Sequence, residues 1–260
     1  MNSIKELQRN WDGLAQADPL WAICTDPAKR NNQWTNDDFF ATGRKEIEAV
    51  LAYAAGIDTC IDKTSPALDF GCGVGRLTRA LAEYFPECYG VDISPTMISL
   101  AHELNRDHPR CRFLLNDDTQ LTGLHDHYFG FIYTSLVLQH IAESHSHQYI
   151  AELVRILKPG GILIFQVPER LRASSLTRLR TRLALRSRLQ SILGRQKPCA
   201  MEMHCIRERI IRELITQNGA KLVNVAITNS CDPSFCGDLQ YLAQEPLHGY
   251  VSKQYCVTKG

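Results

Sequence analysis

The sequence has no apolar run that approaches the length of a membrane span, and its first residues, MNSIKELQRNWDG, contain no apolar signal region. It has no internal repeat, which excludes a repeat architecture. Between Arg170 and Lys197 there is no acidic residue, while nine of the chain's 29 Lys and Arg fall there. The other 20 basic residues stand against 28 acidic ones, a balance of −8, so a basic segment sits on an acidic body although the net charge is only +1. The ten cysteines are scattered along a long chain without a leader, which argues against a disulfide framework. Reduced thiols and a cytoplasmic compartment are expected. Cys231 and Cys236 have the separation of two metal ligands, but no second pair has matching spacing, so no metal is expected.

What is present is an ordinary globular composition, 44% apolar and 22% charged over 260 residues, enough for one domain with additions. Ile4, Leu7, Trp11 and Leu14 follow helical spacing, as do Ile47, Val50, Leu51 and Ala54. From residue 66 the pattern alternates. Ala67–Phe70, Cys88–Val91, Cys111–Leu115, Phe129–Ser135 and Ile162–Val167 read as strands, with helices over Arg76–Phe85, over Pro95–Asn105 and around Ile150–Leu157. After an interruption come a helix through Ile206–Ile215 and strands at Lys221–Ile227 and Tyr250–Val257. Strands alternating with helices of this length predict an α/β fold, a doubly wound, mostly parallel sheet of seven strands. The expected organisation is an N-terminal helical cover over 1–60 and a core over 61–260, with a helical insertion at 169–203 after the fifth strand.

The phrase ALDFGCGVGRLTRALAEYF, residues 67–85, passes from strand to helix through Gly71, Gly73 and Gly75. Glycines there permit positive φ and remove the Cβ that would hold a ligand away from the backbone. Asp92 ends the next strand, 21 residues after Gly71, where a carboxylate can accept hydrogen bonds from both hydroxyls of a ribose. Turn, strand and acid together point to an adenosine-containing ligand. NAD and S-adenosylmethionine both meet that description. A pyrophosphate-binding turn calls for G-x-G-x-x-G, whereas Asp69–Gly75 is an alternating D-x-G-x-G-x-G.

That phrase resembles the first motif of the class I S-adenosylmethionine-dependent methyltransferases. VDIS, LLNDDTQL, FGFIYTSLVLQHI and RILKPGGILIF follow in the family's order, so the resemblance covers about residues 65–167. It implies a Rossmann-like fold, S-adenosylmethionine as cofactor, and a set of roles. Gly71, Cys72 and Gly73 would line the methionine and ribose portion, with Asp69 near the amino group. Asp92 would hold the ribose, Ile93 and Met97 would flank the adenine, and Asp117 with Asp118 would take the adenine amino group. Thr134 and Ser135 would touch the methionine end through their backbone. Gly130 stands where the family often has Asp.

Acceptor identity must be sought outside that core. Ser135–Leu138 stands where base-modifying members carry an Asn- or Asp-Pro-Pro-aromatic phrase, which argues against an exocyclic amine on a nucleobase. Gln139 and His140 follow at the expected pocket mouth; an imidazole titrates near neutrality, so His140 is a candidate base or else a structural residue bonding a neighbouring loop. Glu202, Met203 and His204 in MEMHCI form a second candidate group, with His204 an alternative base. In the N-terminal phrase QWTNDDFFATGR, Trp34 and Arg44 are candidate substrate contacts. The basic insertion carries leucines on two opposed faces and no aromatics for stacking on bases, which favours a substrate lid over nucleic-acid docking. The expectation is methyl transfer to an oxygen, with nitrogen second, of a small, natural-product-like or peptide-like acceptor. A macromolecular methyltransferase docking through the insertion and a non-catalytic cofactor-binding protein stay open as alternatives.

Overall fold

The computed structural model describes residues 3–57, 59–172, 201–233 and 235–260. Its strands are β1 (Ala67–Phe70), β2 (Cys88–Asp92), β3 (Cys111–Leu115), β4 (Phe129–Thr134), β5 (Leu157–Arg172), β6 (Ala220–Thr228), β7 (Tyr241–Leu242) and β8 (Gly249–Lys259). They form one sheet in the order β3-β2-β1-β4-β5-β8-β6-β7. The strands from β3 to β5 pair in parallel, and β8 runs antiparallel between β5 and β6. This is a Rossmann-like, doubly wound sheet. Seven strands stand where the sequence predicts them. The eighth, β7, adds only two residues at the edge, against Ile227 and Thr228, too few to leave a periodic signature.

The helices are α1 (Ile4–Ala17), α2 (Pro19–Ile23), α3 (Asn36–Gly56), α4 (Arg76–Leu81), α5 (Pro95–Leu104), α6 (Glu143–Ile156) and α7 (Glu208–Gln217). Three begin at a hydroxyl that accepts an orphan N–H of the first turn: Ser3 for α1, Thr35 for α3 and Ser94 for α5. Helix α4 is shorter than expected, because Glu83 and Tyr84 bond back by three residues rather than four and tighten the chain into a turn. Strand β5 is longer than expected. Its partner β8 follows it past a bulge at Pro168, where the ladder loses a donor, as far as Arg172 opposite Gly249.

Two-residue alternation sends the strands' side chains into two cores. Leu68, Ile132, Leu163 and Tyr255 face α6 and α7. Ala67, Phe131, Ile164 and Cys256 face α3 and α4. Burial on both faces is what a parallel sheet between helical layers requires. The expected basic lid falls mainly on 173–200, outside the described residues. Among the described residues no helix is long and apolar enough to cross a membrane.

Phe131 is fully buried and stacks on Phe85 with centroids 5.3 Å apart. Phe131→Ala should cost about 3–5 kcal/mol through lost burial and the cavity left behind. Urea unfolding of the two proteins measures it.

Candidate active site

The turn after β1 leaves the sheet through three residues at positive φ, Gly71 (78°), Gly73 (54°) and Gly75 (87°). The N–H groups of Gly71 and Cys72 both donate to the Val91 carbonyl, at 2.8 and 3.0 Å. A Cβ on Gly71 would lie 2.2 Å from a Val137 methyl, so glycine is required by conformation and by space together. Asp92, at the end of β2, accepts from the Gly73 N–H at 2.9 Å and from the Ser94 N–H at 2.9 Å. A carboxylate has about four lone-pair sites, so acceptor capacity is left for a ligand. Burial raises its pKa, opposed by the N–H donors of Ser94, Gly73 and Ile93.

Beyond the carboxyl ends of β1, β2 and β4 lies a cleft of about 280 Å³. Of the residues that the sequence singles out, Gly71, Cys72, Gly73, Asp92, Ile93 and Met97 line one end. Ser135, Gln139, His140 and Met203 line the other. The Ser135 hydroxyl is buried without a hydrogen-bond partner among the described residues, and so is that of Thr134, which stays off the cavity wall.

The remaining candidates stand elsewhere. Asp69 is buried beneath the turn, with Oδ2 accepting from Thr78 at 2.7 Å and Oδ1 unpartnered; burial pushes its carboxyl up to about 7. Asp117 and Asp118 are exposed and do not line the cleft, whereas Asn116 does. The reason is local: the Asn116 N–H still donates to the Asp92 carbonyl at 2.9 Å, and the chain then turns away around the Asp118 carboxylate. Trp34 packs edge-on against Phe39 and donates to the Cys24 carbonyl at 3.1 Å, away from the cleft. Arg44 is half-buried on α3 and also outside it. The arginine in the wall is Arg76, whose guanidinium donates to Glu46 at 2.7 Å with side chains 3% and 0% exposed. Glu202 and His204 lie behind the wall, paired at 3.4 Å. Cys231 and Cys236 diverge, the first in the cleft wall and the second in the cluster around Phe39 and Phe40.

Helix α1 spans the cleft. Gln8 donates to the Ile93 carbonyl at 3.1 Å, and Asp12 accepts from the Ser94 hydroxyl at 2.7 Å and the Thr96 N–H at 2.9 Å. Between Gln8 and Asp12 on the helix, Trp11 meets the His140 ring edge-on at 5.2 Å. His140 Nδ1 is 2.7 Å from the Glu202 carbonyl and Nε2 is 3.1 Å from Gln139 Nε2. The expectation of a near-neutral imidazole is corrected: burial, opposed by the Glu202 bond and reinforced by His204, pushes His140 down to about 4. Sequence reasoning missed Gln166 and Ser230, and weighed Cys231 only as a metal ligand. Gln166 carried a readable signal, since it is the polar residue inside the apolar strand ILIFQV.

Residues 68–165 match the family model described as a methyltransferase domain. The N-demethylindolmycin N-methyltransferase of Streptomyces griseus is 36% identical over 117 residues, 44% of this chain and 49% of that protein. The 2-methyl-6-phytyl-1,4-hydroquinone methyltransferase of Synechocystis is 30% identical over 126 residues, 48% of this chain and 38% of that one. The chain thus spans half or less of the length of these relatives. The crystal structure of the magnesium protoporphyrin IX methyltransferase of Synechocystis with bound SAH shares the fold, with a TM-score of 0.62 at 16% identity over 99% of this chain and 100% of that one. The glycine turn, Asp92 and these matches agree on one class over that stretch: residues 68–165 form a methyltransferase domain similar to that of the class I S-adenosylmethionine-dependent methyltransferases. S-adenosylmethionine is the cofactor of that class, and the cleft suits it, with a Cβ-free cradle, a carboxylate at ribose spacing and an unpartnered buried hydroxyl at Ser135.

Asp92→Ala should weaken binding of S-adenosylhomocysteine by about 10- to 100-fold, as expected for losing hydrogen bonds to a charged group worth about 1.5–3 kcal/mol. Isothermal calorimetry, with NAD as the ligand that should not bind, measures it.

Proposed function

We propose that the protein is an enzyme that transfers a methyl group from S-adenosylmethionine to an oxygen, or secondarily a nitrogen, of a small organic acceptor. The observation that carries this reading is the continuity of the cleft from Asp92 and Gly73 through Ser135 to Gln139, His140 and Met203. Gly71, Gly73 and Asp92 would hold the cofactor, which supplies a methyl group already activated on a sulfonium. What is left to the protein is to place the acceptor in line and to receive its proton.

The acceptor end has the composition of a site for a small organic molecule. Leu136, Val137, Met201 and Met203 give apolar, adaptable walls, and Gln139, His140 and Ser230 interrupt them with a few fixed polar groups. His140 is the candidate base, because it faces the cleft while His204 does not. The relative named an N-methyltransferase keeps nitrogen in the proposal. Helix α1 and the N-terminal segment of 1–60 serve as the cover over the cofactor. The thiols, free at all nine described cysteines, suit the cytoplasm.

Incubation with methyl-labelled S-adenosylmethionine and a panel of phenols, carboxylic acids and amines, read by mass spectrometry, tests the reading. Labelled product from at least one class is expected. Failure to bind S-adenosylhomocysteine in calorimetry would sink it. His140→Ala should lower kcat while leaving cofactor affinity intact. With His140 pushed down to about 4, turnover should be flat across neutral pH instead of rising through the ordinary imidazole range.

A further inference from the structure

We propose that Gln166 and Gln139 are positioning residues that lock His140 in one neutral tautomer, proton on Nδ1 and lone pair on Nε2. The acceptor end then admits molecules whose reacting atom carries a hydrogen to donate. The functional half of this inference rests on the methyl-transfer reading of the cleft; the tautomer lock does not.

The lock follows from two ends that cannot be reversed. At one end the backbone N–H of Leu136, which can only donate, meets Gln166 Oε1 at 3.1 Å. At the other end the backbone carbonyl of Glu202, which can only accept, lies 2.7 Å from His140 Nδ1. Between them stand two amides and an imidazole, groups whose orientation is read from their partners. Leu136 fixes the Gln166 oxygen, so Gln166 Nε2 donates to the Ser252 hydroxyl at 2.9 Å and, with its other hydrogen, toward Gln139 Oε1 and the Cys231 sulfur, each at 3.3 Å. The Gln139 oxygen also receives the Cys231 thiol at 3.3 Å, a thiol that keeps its proton because burial pushes it up to about 11. Gln139 Nε2 is thereby turned toward His140 Nε2 at 3.1 Å, which has to accept. Nδ1 must then carry the proton given to Glu202. Every bond runs in the same direction.

Turning any one group round would set oxygen against oxygen or N–H against N–H. Gln166 and Gln139 are only 1% and 5% exposed, so water would not relieve the mismatch. The other groups facing the ring are Trp11 from α1 and Glu202 and His204 from the segment before α7; Cys231, from the loop after β6, bonds Gln139. The Glu202 carboxylate lies 3.4 Å from His204 Nε2. Protonating Nε2 would place an N–H against the Gln139 N–H.

A ring held this way offers one lone pair. An entering hydroxyl or amine exchanges its hydrogen for that of Gln139 at Nε2. As the bond from its oxygen or nitrogen to the methyl carbon forms, the sulfur–methyl electron pair stays on sulfur, giving a neutral thioether. The acceptor's proton moves to Nε2 and then to water. A tertiary amine or a thioether has no hydrogen to exchange and is excluded.

The test is nitrogen-15 NMR of the full-length protein with labelled histidine, with His140→Gln identifying the resonances. The wild type should show the Nδ1–H tautomer and no protonation of His140 across neutral pH. Gln139→Glu puts a carboxylate beside Nε2 and should raise the His140 pKa by at least about two pH units. Gln166→Glu removes the donor to Gln139, frees that amide to turn and should raise it too. A wild-type ring protonated on Nε2, or one titrating in the ordinary imidazole range, would overturn the proposal. So would an unchanged titration in a folded Gln139→Glu protein. If that variant does not fold, the wild-type spectrum alone decides. Absence of S-adenosylhomocysteine binding would fail the methyl-transfer reading instead and leave the tautomer measurement intact.

Discussion

The close approach of Gly71 to Val137 sets the geometry on which the rest of the site depends. With 2.2 Å between a would-be Cβ and a valine methyl, the end of β1 can sit against the loop that follows β4 only if residue 71 has no side chain. That contact makes one wall out of two functions. Upstream, the turn presents Gly73, whose N–H is held by Asp92 at 2.9 Å and so fixed to the end of β2. Downstream, the loop continues through Gln139 to His140. A methyl donor and its acceptor must approach in line, and a wall without slack between the two ends lets backbone geometry, rather than flexible side chains, set that distance.

Arg76 and Glu46 play a different part. A buried ion pair loses hydration on both sides and is a weak source of net stability. Here it is joined by the Tyr133 hydroxyl on Glu46 at 2.9 Å and by Thr42 on Arg76 at 3.3 Å. The four groups come from α3, α4 and β4, so the pair fixes how α3 lies against the turn. The close approach is visible again at Gly43, where a Cβ would meet the Arg76 carbonyl at 2.4 Å. The interaction specifies an arrangement, and that arrangement puts an arginine in the cleft wall.

The parts of this protein that could be read from its sequence are those set by local rules. Strand β1 and the glycine turn follow from periodicity and φ, and Asp92 from its spacing. Asn116 could not be separated from Asp117 and Asp118, since all three follow β3 and only the bond to the Asp92 carbonyl decides which faces inward. Arg44 and Arg76 are equally basic in the sequence; three-dimensional packing of α3 on α4 chooses between them. The relay from Leu136 to Glu202 joins residues up to 66 positions apart; Gln139, His140 and Glu202 stood out as polar candidates and Gln166 as a glutamine out of place in an apolar strand, but the bonds that link them did not. The downward shift of His140 was not legible for a related reason: burial is a property of the assembled loop, not of the residue.

Helix α1 has a consequence of its own. It reaches Ile93, Ser94 and Thr96 at one end of the cleft and, through Trp11, His140 at the other, yet only Leu7 and Ala15 of its fourteen residues are buried. Elements with so little buried surface are the ones that open at low free energy while the rest of a domain stays folded. Were α1 to lift, both ends of the cleft would meet solvent in the same event. On the methyl-transfer reading, arrival of a fresh donor and departure of a finished product would then be tied to a single clock, the breathing of one amphipathic helix.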